Sequence, residues 1–247
     1  MPSPALAVEQ LSRRFAGLLA VDGVSFSVAP GEVVGLLGPN GAGKTTTLRM
    51  LAGLLTPHAG RALVCGVDVQ ADPLEARRRL GMMTSSTGLF ERLTAREVLS
   101  VFGQLNGLAR DAVAARTEVL ARELELGAVL DRRCGQLSSG QKQRVSIARA
   151  LIADPPAYVL DEPTATLDPL ASVGILELVQ RARAGGKAVL FSTHRMEEAE
   201  YLCDRLVFLR AGKVVAEGTP QALVERSGAH TLTAAFLHYA RGGGPAA

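Results

Sequence analysis

Residues 33–48 read Val33-Val34-Gly35-Leu36-Leu37-Gly38-Pro39-Asn40-Gly41-Ala42-Gly43-Lys44-Thr45-Thr46-Thr47-Leu48. The apolar run over 33–37, introduced by Gly31-Glu32, has the length and unbroken character of a strand buried on both faces, as in a parallel sheet. The glycines that follow let the backbone curl so that several N–H groups point inward. The helix expected over 44–54 adds the positive end of its dipole. Gly38 through Thr45 satisfies G-x-x-x-x-G-K-[ST] in full and lies between a strand and a helix, as the phosphate-cradling mechanism requires. Lysine is scarce, occurring only at Lys44, Lys142, Lys187 and Lys213, so a lysine at this spot is harder to attribute to chance. The stretch reads as a site for a nucleoside triphosphate, with Lys44 reaching the outer phosphates and the Thr45 hydroxyl serving Mg²⁺. The cradle comprises Gly38, Pro39, Asn40, Gly41, Ala42, Gly43, Lys44, Thr45 and Thr46.

Ala157-Tyr158-Val159-Leu160-Asp161-Glu162 reads as a second apolar strand, this one ending in two acids. At the carboxyl edge of a parallel sheet both carboxylates stand beside the phosphate loop. Phosphoryl transfer asks the protein for charge neutralisation and an in-line water, and for little covalent chemistry. Asp161 is therefore expected to hold Mg²⁺, together with Thr45, and Glu162 to orient or deprotonate the attacking water. Acids that close a strand are common in loops; the phosphate loop upstream is what gives this pair its reading.

The rest of the chain arranges itself around these two strands. Asp72-Pro73 reads as a cap and first turn, opening a helix to Leu80. Thr94-Ala95-Arg96-Glu97 is a capping box that starts a largely helical section to about Val129. A helix is expected over 141–152, a helix from Pro169 stopped by Gly185-Gly186, and a strand over 187–192. A helix over 196–202 leads to strands over 205–209 and 213–216 around the turn Ala211-Gly212, and Thr219-Pro220 caps a final helix. Strand–helix alternation, a helical insertion and renewed alternation imply an α/β fold: a P-loop NTPase core with a parallel or mixed sheet and an inserted helical subdomain over about 94–152. Without an internal repeat, one nucleotide unit is expected over 1–230, followed by a partly disordered tail over 231–247.

Composition narrows the classes. A net charge of +3 carried mostly by arginine, with only 4% aromatic residues, gives no interleaved basic and aromatic patch for nucleic acid. The longest basic run, Arg77-Arg78-Arg79, suits the solvated face of a helix. No apolar run approaches the roughly 18–20 residues a spanning helix needs. Met1 to Glu9 lacks the charged and apolar blocks of a signal peptide. Cys65, Cys134 and Cys203 are isolated, with no metal or disulfide spacing, which fits a reducing compartment.

Leu137-Ser138-Ser139-Gly140-Gln141 resembles the LSGGQ signature of ABC (ATP-binding cassette) ATPases, with Ser139 for the first glycine. The tetrad is also a capping box, so a well-capped helix start explains it structurally; such a start is equally a phosphate binder. Likeness to the family runs from about Leu6 to Thr219. It implies that Ser138, Ser139, Gly140 and Gln141 face the ATP held by the other subunit of a dimer, and that Phe15 stacks on adenine. It further implies that Asp168 belongs to the loop crossing that dimer, and that His194, in Phe191-Ser192-Thr193-His194, contacts the γ-phosphate. With these roles the catalytic set is Glu162, His194 and Lys44, and the cofactors are ATP and Mg²⁺. The implied partners are a second copy and integral membrane permease subunits, with the chain peripheral at the cytoplasmic face.

One departure concerns the loop Gly81-Met82-Met83-Thr84-Ser85-Ser86-Thr87-Gly88-Leu89-Phe90. The family usually has a glutamine where Ser85 stands, one that helps sense Mg²⁺ and couples to the membrane subunit; serine is shorter. This loop, with Glu91-Arg92-Leu93-Thr94 and the run from Ser192 to Arg205, is similar to the sodium-efflux branch of ABC-2-type exporters. The implied function is export powered by ATP hydrolysis, of sodium ion or drugs. An importer subunit and a non-transport ABC ATPase are the alternatives the resemblance leaves.

Overall fold

The central sheet is built from strands whose successive side chains enter different cores. In β3 (Val33–Leu37), Val33 and Leu37 join one apolar cluster, while Val34 and Leu36 join a second on the opposite face. In β7 (Ala157–Asp161), Tyr158 and Leu160 face the first cluster, Ala157 and Val159 the second. In β8 (Ala188–Ser192) the same split separates Val189 and Phe191 from Ala188 and Leu190. Burial on both faces is the physical reason these strands read as continuous apolar runs.

The computed structural model describes residues 3–85 and 88–242; Met1, Pro2, Ser86, Thr87 and residues 243–247 lie outside it. An antiparallel hairpin of β1 (Leu6–Phe15) and β2 (Leu18–Val28) opens the chain. With β4 (Ala59–Val64) and β5 (Val67–Asp68) it forms a four-stranded sheet ordered β2-β1-β4-β5. Helix α1 (Lys44–Leu51) follows β3, and α2 (Pro73–Arg78) leads into β6 (Leu80–Met83). The helical insertion consists of α3 (Ala95–Leu105), α4 (Arg110–Glu123) and α5 (Ser139–Leu151). Then come β7, α6 (Pro169–Ala184), β8, α7 (Met196–Leu202), the hairpin of β9 (Arg205–Arg210) and β10 (Lys213–Gly218), α8 (Pro220–Ser227) and α9 (Leu232–Arg241). The six-stranded sheet runs β10-β9-β3-β8-β7-β6, parallel throughout except for the β9–β10 pair at its edge. No helix of the described residues is long and apolar enough to cross a membrane.

One sheet goes unread in the sequence, and two expectations need correction. The four-stranded antiparallel sheet was not legible: register shifts between Val8 and Leu11 and again at Arg13 break the period-two pattern that would have marked β1. Helix α2 stops at Arg78 rather than Leu80, because Leu80 begins β6, paired in parallel with β7. Gly81 explains how closely β6 sits under α5, since a Cβ there would lie 2.4 Å from the Ala150 carbonyl oxygen. Finally, the domain does not end at 230. Thr231 caps α9, and Leu232, Ala235 and Tyr239 form its buried stripe. Tyr239 stacks at 5.3 Å on Phe208 of β9 and its hydroxyl donates to the Leu223 carbonyl at 3.2 Å. The expected disorder over 243–247 falls outside the described residues.

Candidate functional site

The phosphate loop joins β3 to α1 through a turn that only glycine suits at three points. Gly38, Gly41 and Gly43 have φ of +153°, +79° and +103°. A Cβ on Gly38 would stand 2.3 Å from the Leu209 carbonyl oxygen, and one on Gly43 would stand 2.6 Å from that of Ala20. The loop is thus pressed between β9 and the β2 strand. Lys44, at the first turn of α1, is buried, and its ammonium donates to the carbonyls of Gly38 at 2.6 Å and Pro39 at 3.4 Å. Burial pushes the Lys44 ammonium below the ordinary lysine range, partly offset by the charges of Glu162 and Asp161. Asn40 and Gly41 are exposed at the crest of the loop, Ala42 is buried beneath it, and Thr46 is half-buried on α1.

The acids of β7 stand where the parallel register puts them. Asp161 is fully buried and pairs with Ser192 across the sheet. Its carboxylate accepts from the Thr45 hydroxyl at 3.1 Å and the Ser192 hydroxyl at 2.8 Å. Glu162 follows with φ +53°, a left-handed conformation costing a non-glycine residue roughly 1–3 kcal/mol, the kind of outlier that clusters at functional sites. The Glu162 N–H donates to the Ser192 hydroxyl at 2.9 Å, and Gln143 of α5 donates to the carbonyls of Glu162 and Pro163 at 3.1 and 2.9 Å. The Glu162 carboxylate accepts from Nδ1 of His194 at 2.7 Å, leaving the rest of the exposed imidazole facing outward. Lys44, Thr45, Asp161, Glu162 and His194 thus converge on one edge of the sheet, bringing together a cation, a hydroxyl, two acids and an imidazole.

The remaining candidates sit on other elements. Ser138 and Gln141 close their capping box, Gln141 N–H donating to the Ser138 hydroxyl at 3.2 Å and Ser138 N–H to Gln141 Oε1 at 3.0 Å. Ser138 and Ser139 are exposed at the start of α5, with Gly140 half-buried behind them. Asp168 caps α6, accepting from Ala171 N–H at 2.9 Å. Phe15 is exposed at the end of β1, with the Arg13 guanidinium 5.0 Å from its ring centre. Ser85 is exposed just past β6. Ser192 and Gln143 were missed as site residues. The β7–β8 register that sets Ser192 opposite Asp161 is the signal for the first; Gln143, a polar residue buried on α5, has none in sequence.

The profile of the ABC transporter family matches residues 21–165. The chain is 45% identical over 225 residues to the Nod factor export ATP-binding protein I of Burkholderia lata, covering 91% of this chain and 74% of that one. It is 41% identical over 237 residues to the ABC transporter ATP-binding protein NatA of Bacillus subtilis, covering 94% and 96%. The fold is similar to a solved ATP-binding subunit of an ABC transporter, with TM-score 0.89, 34% identity and coverage of 95% and 98%. It is also similar to a dimeric ATP-binding cassette solved in a post-hydrolysis state with ADP and Pi, with TM-score 0.80, 26% identity and coverage of 87% and 98%. On this evidence the chain belongs to the ABC transporter family, as an ATP-binding and ATP-hydrolysing subunit.

Proposed function

We propose that this chain binds ATP with Mg²⁺ in its phosphate loop and hydrolyses it in a dimer of two copies, powering export through separate membrane permease subunits. The observation that carries the reading is the convergence of Lys44, Thr45, Asp161, Glu162 and His194 on one sheet edge, with Thr45 3.1 Å from Asp161 and His194 2.7 Å from Glu162. Thr45 and Asp161 offer hard oxygen donors, which suit Mg²⁺. The Asp161 carboxylate is buried with two neutral hydroxyls on it, so a cation there balances its charge. Mg²⁺ bound there supplies neutralisation of phosphate charge. Glu162 orients the attacking water and accepts its proton. His194, held by Glu162, contacts the γ-phosphate. Lys44 transfers its two carbonyl bonds to the outer phosphates, and Phe15 stacks on the adenine.

The start of α5 presents Ser138 and Ser139 to solvent. In a head-to-tail dimer, Ser138, Ser139, Gly140 and Gln141 complete the partner's ATP site, and Asp168 lies at the interface. ATP then favours the closed dimer because it touches more of it, and only such differential binding moves the equilibrium. Going from mostly open to mostly closed takes about 5.5 kcal/mol. Losing the γ-phosphate removes the link and the dimer reopens. The similar cassette solved as a dimer with ADP and Pi supports the dimeric arrangement, and reopening then falls after hydrolysis, as the products leave.

The relatives named for Nod factor export support the outward direction. The loop around Ser85 and the run after Ser192 support the ABC-2-type branch, with sodium ion or a drug as cargo and the chain peripheral at the cytoplasmic face of the membrane. Inside-out vesicles carrying the chain and its permease should accumulate cargo when ATP is added outside. Accumulation by right-side-out vesicles loaded with ATP inside instead would show import and overturn the direction.

A further inference from the structure

The parallel pairing of β7 with β8 stops at Asp161 and Ser192. Beyond it the two chains diverge, one into the loop over 162–168 and the other into the turn Thr193-His194-Arg195. The Glu162 N–H still donates to the Ser192 carbonyl at 3.2 Å, and the short contact between Glu162 and His194 spans the gap beyond it, where side chains must fasten the two segments. Glu198, on α7, is in position to do so. It is 6% exposed, and the hydroxyls converging on it, Thr164 and Thr193, are each 1% exposed. One carboxylate oxygen, Oε2, accepts from the Thr164 hydroxyl at 2.7 Å and from the Thr193 hydroxyl at 2.9 Å. The other, Oε1, accepts from the Arg195 guanidinium at 2.9 Å. The same guanidinium nitrogen donates to the Ser172 hydroxyl at 3.2 Å, and that hydroxyl donates to the Asp168 carbonyl at 2.9 Å. The Thr193 hydroxyl, having given its proton to Glu198, accepts the Arg195 N–H at 3.0 Å. Each hydroxyl of Thr164, Thr193 and Ser172 donates one bond, and both oxygens of Glu198 accept. A buried carboxylate is tolerated only when paired and hydrogen-bonded in this way.

We propose that Glu198 is a positioning residue: its buried carboxylate fastens the Thr193–His194 turn to the loop over 162–168, and so holds His194 and Glu162 in register for hydrolysis. The proposal rests on the reading of Glu162 and His194 as catalytic. Neither threonine touches the phosphate loop through these bonds, so the fastener acts on the chemical step and leaves ATP capture to Lys44 and Thr45. A change that lowers kcat with KM unmoved removes an interaction needed only in the transition state.

The test is Mg²⁺-ATP turnover by the full chain carrying Thr164→Val, Thr193→Val or both. Valine keeps the shape of threonine and deletes the hydroxyl. Each variant should lose about tenfold or more in kcat, the scale set by small positional errors at a reacting centre, with KM for ATP within about twofold. Because both hydroxyls act through one carboxylate, the double variant should lose much less than the product of the single losses. Thr164→Ser and Thr193→Ser, which restore the hydroxyl, should restore kcat. Glu198→Asp keeps the charge and shortens the reach; it should show the same loss in kcat at unchanged KM, and it carries the test if a valine variant fails to fold. Wild-type kcat in the valine variants and in Glu198→Asp, or serine variants as impaired as the valine ones, would overturn the proposal. Glu162→Gln separates the two readings. If it is inactive while the valine variants are not, only the role of Glu198 fails; if it turns over normally, the catalytic reading itself fails.

Discussion

Lys44→Met keeps the apolar stem of the lysine and deletes the ammonium, and its consequences can be worked out for both states of the site. On the proposed reading, the ammonium makes charge-assisted bonds to the outer phosphates when ATP is bound, each worth about 1.5–3 kcal/mol net. At about 1.4 kcal/mol per tenfold, one such bond predicts a loss of roughly 10- to 150-fold in ATP affinity. Turnover should fall with it, and ADP affinity should fall less because the outermost phosphate is missing. Without nucleotide the sign reverses. Burial holds the Lys44 pKa below its unfolded value, with Glu162 and Asp161 only partly offsetting. A lysine shifted down costs the folded state stability in full below its folded pKa, and the cost fades as pH rises through the folded pKa towards the unfolded one. The ligand-free Met variant should therefore melt no lower than the wild-type chain near neutral pH, while ATP should raise its melting temperature far less. Calorimetric titration with ATP and ADP, and melting curves with and without nucleotide, read both effects. An ATP affinity within twofold of wild type would remove Lys44 from the phosphate site. A ligand-free variant melting well below wild type would refute the account of its buried charge.

Two further outcomes follow from the packing. Ser138→Ala deletes the cap of α5 and should cost about 1 kcal/mol of stability while leaving ATP binding by a single chain intact; ATP-dependent dimerisation should weaken. Loss of ATP binding in the dilute chain would mean that residues 138–141 serve their own subunit's site. Tyr239→Ala empties the contact between α9 and Phe208 and should cost about 3–5 kcal/mol, lowering the melting temperature by roughly 6–20 °C. An unchanged melting temperature would return residues 231–241 to the status of a tail.

What the sequence conveyed and what it withheld divide along physical lines. The phosphate loop was legible because Gly38, Gly41 and Gly43 are forced by backbone geometry and Lys44 by charge, and both requirements are local. The acids of β7 were legible because a strand buried on both faces ends abruptly in charge. Capping boxes at Thr94 and Ser138 were legible for the same local reason. Strand β1 was hidden because its bulges scramble the alternation, and its partners lie as far along the chain as β4. Helix α9 was hidden by the glycines of its tail, since its apolar stripe has meaning only against Phe208. Ser192, Gln143 and Glu198 escaped notice because each acts through a residue distant in sequence: Ser192 on Asp161, Gln143 on the carbonyl of Glu162, and Glu198 on Thr164.

The central claim is that two copies share each ATP, with Glu162 as the group that ends the shared state. Sedimentation of Glu162→Gln with saturating Mg²⁺-ATP tests it most directly. The account predicts a stable species of twice the monomer mass that reverts to monomer when ADP replaces ATP. A Glu162→Gln chain that binds ATP yet stays monomeric, with its permease also supplied, would contradict it.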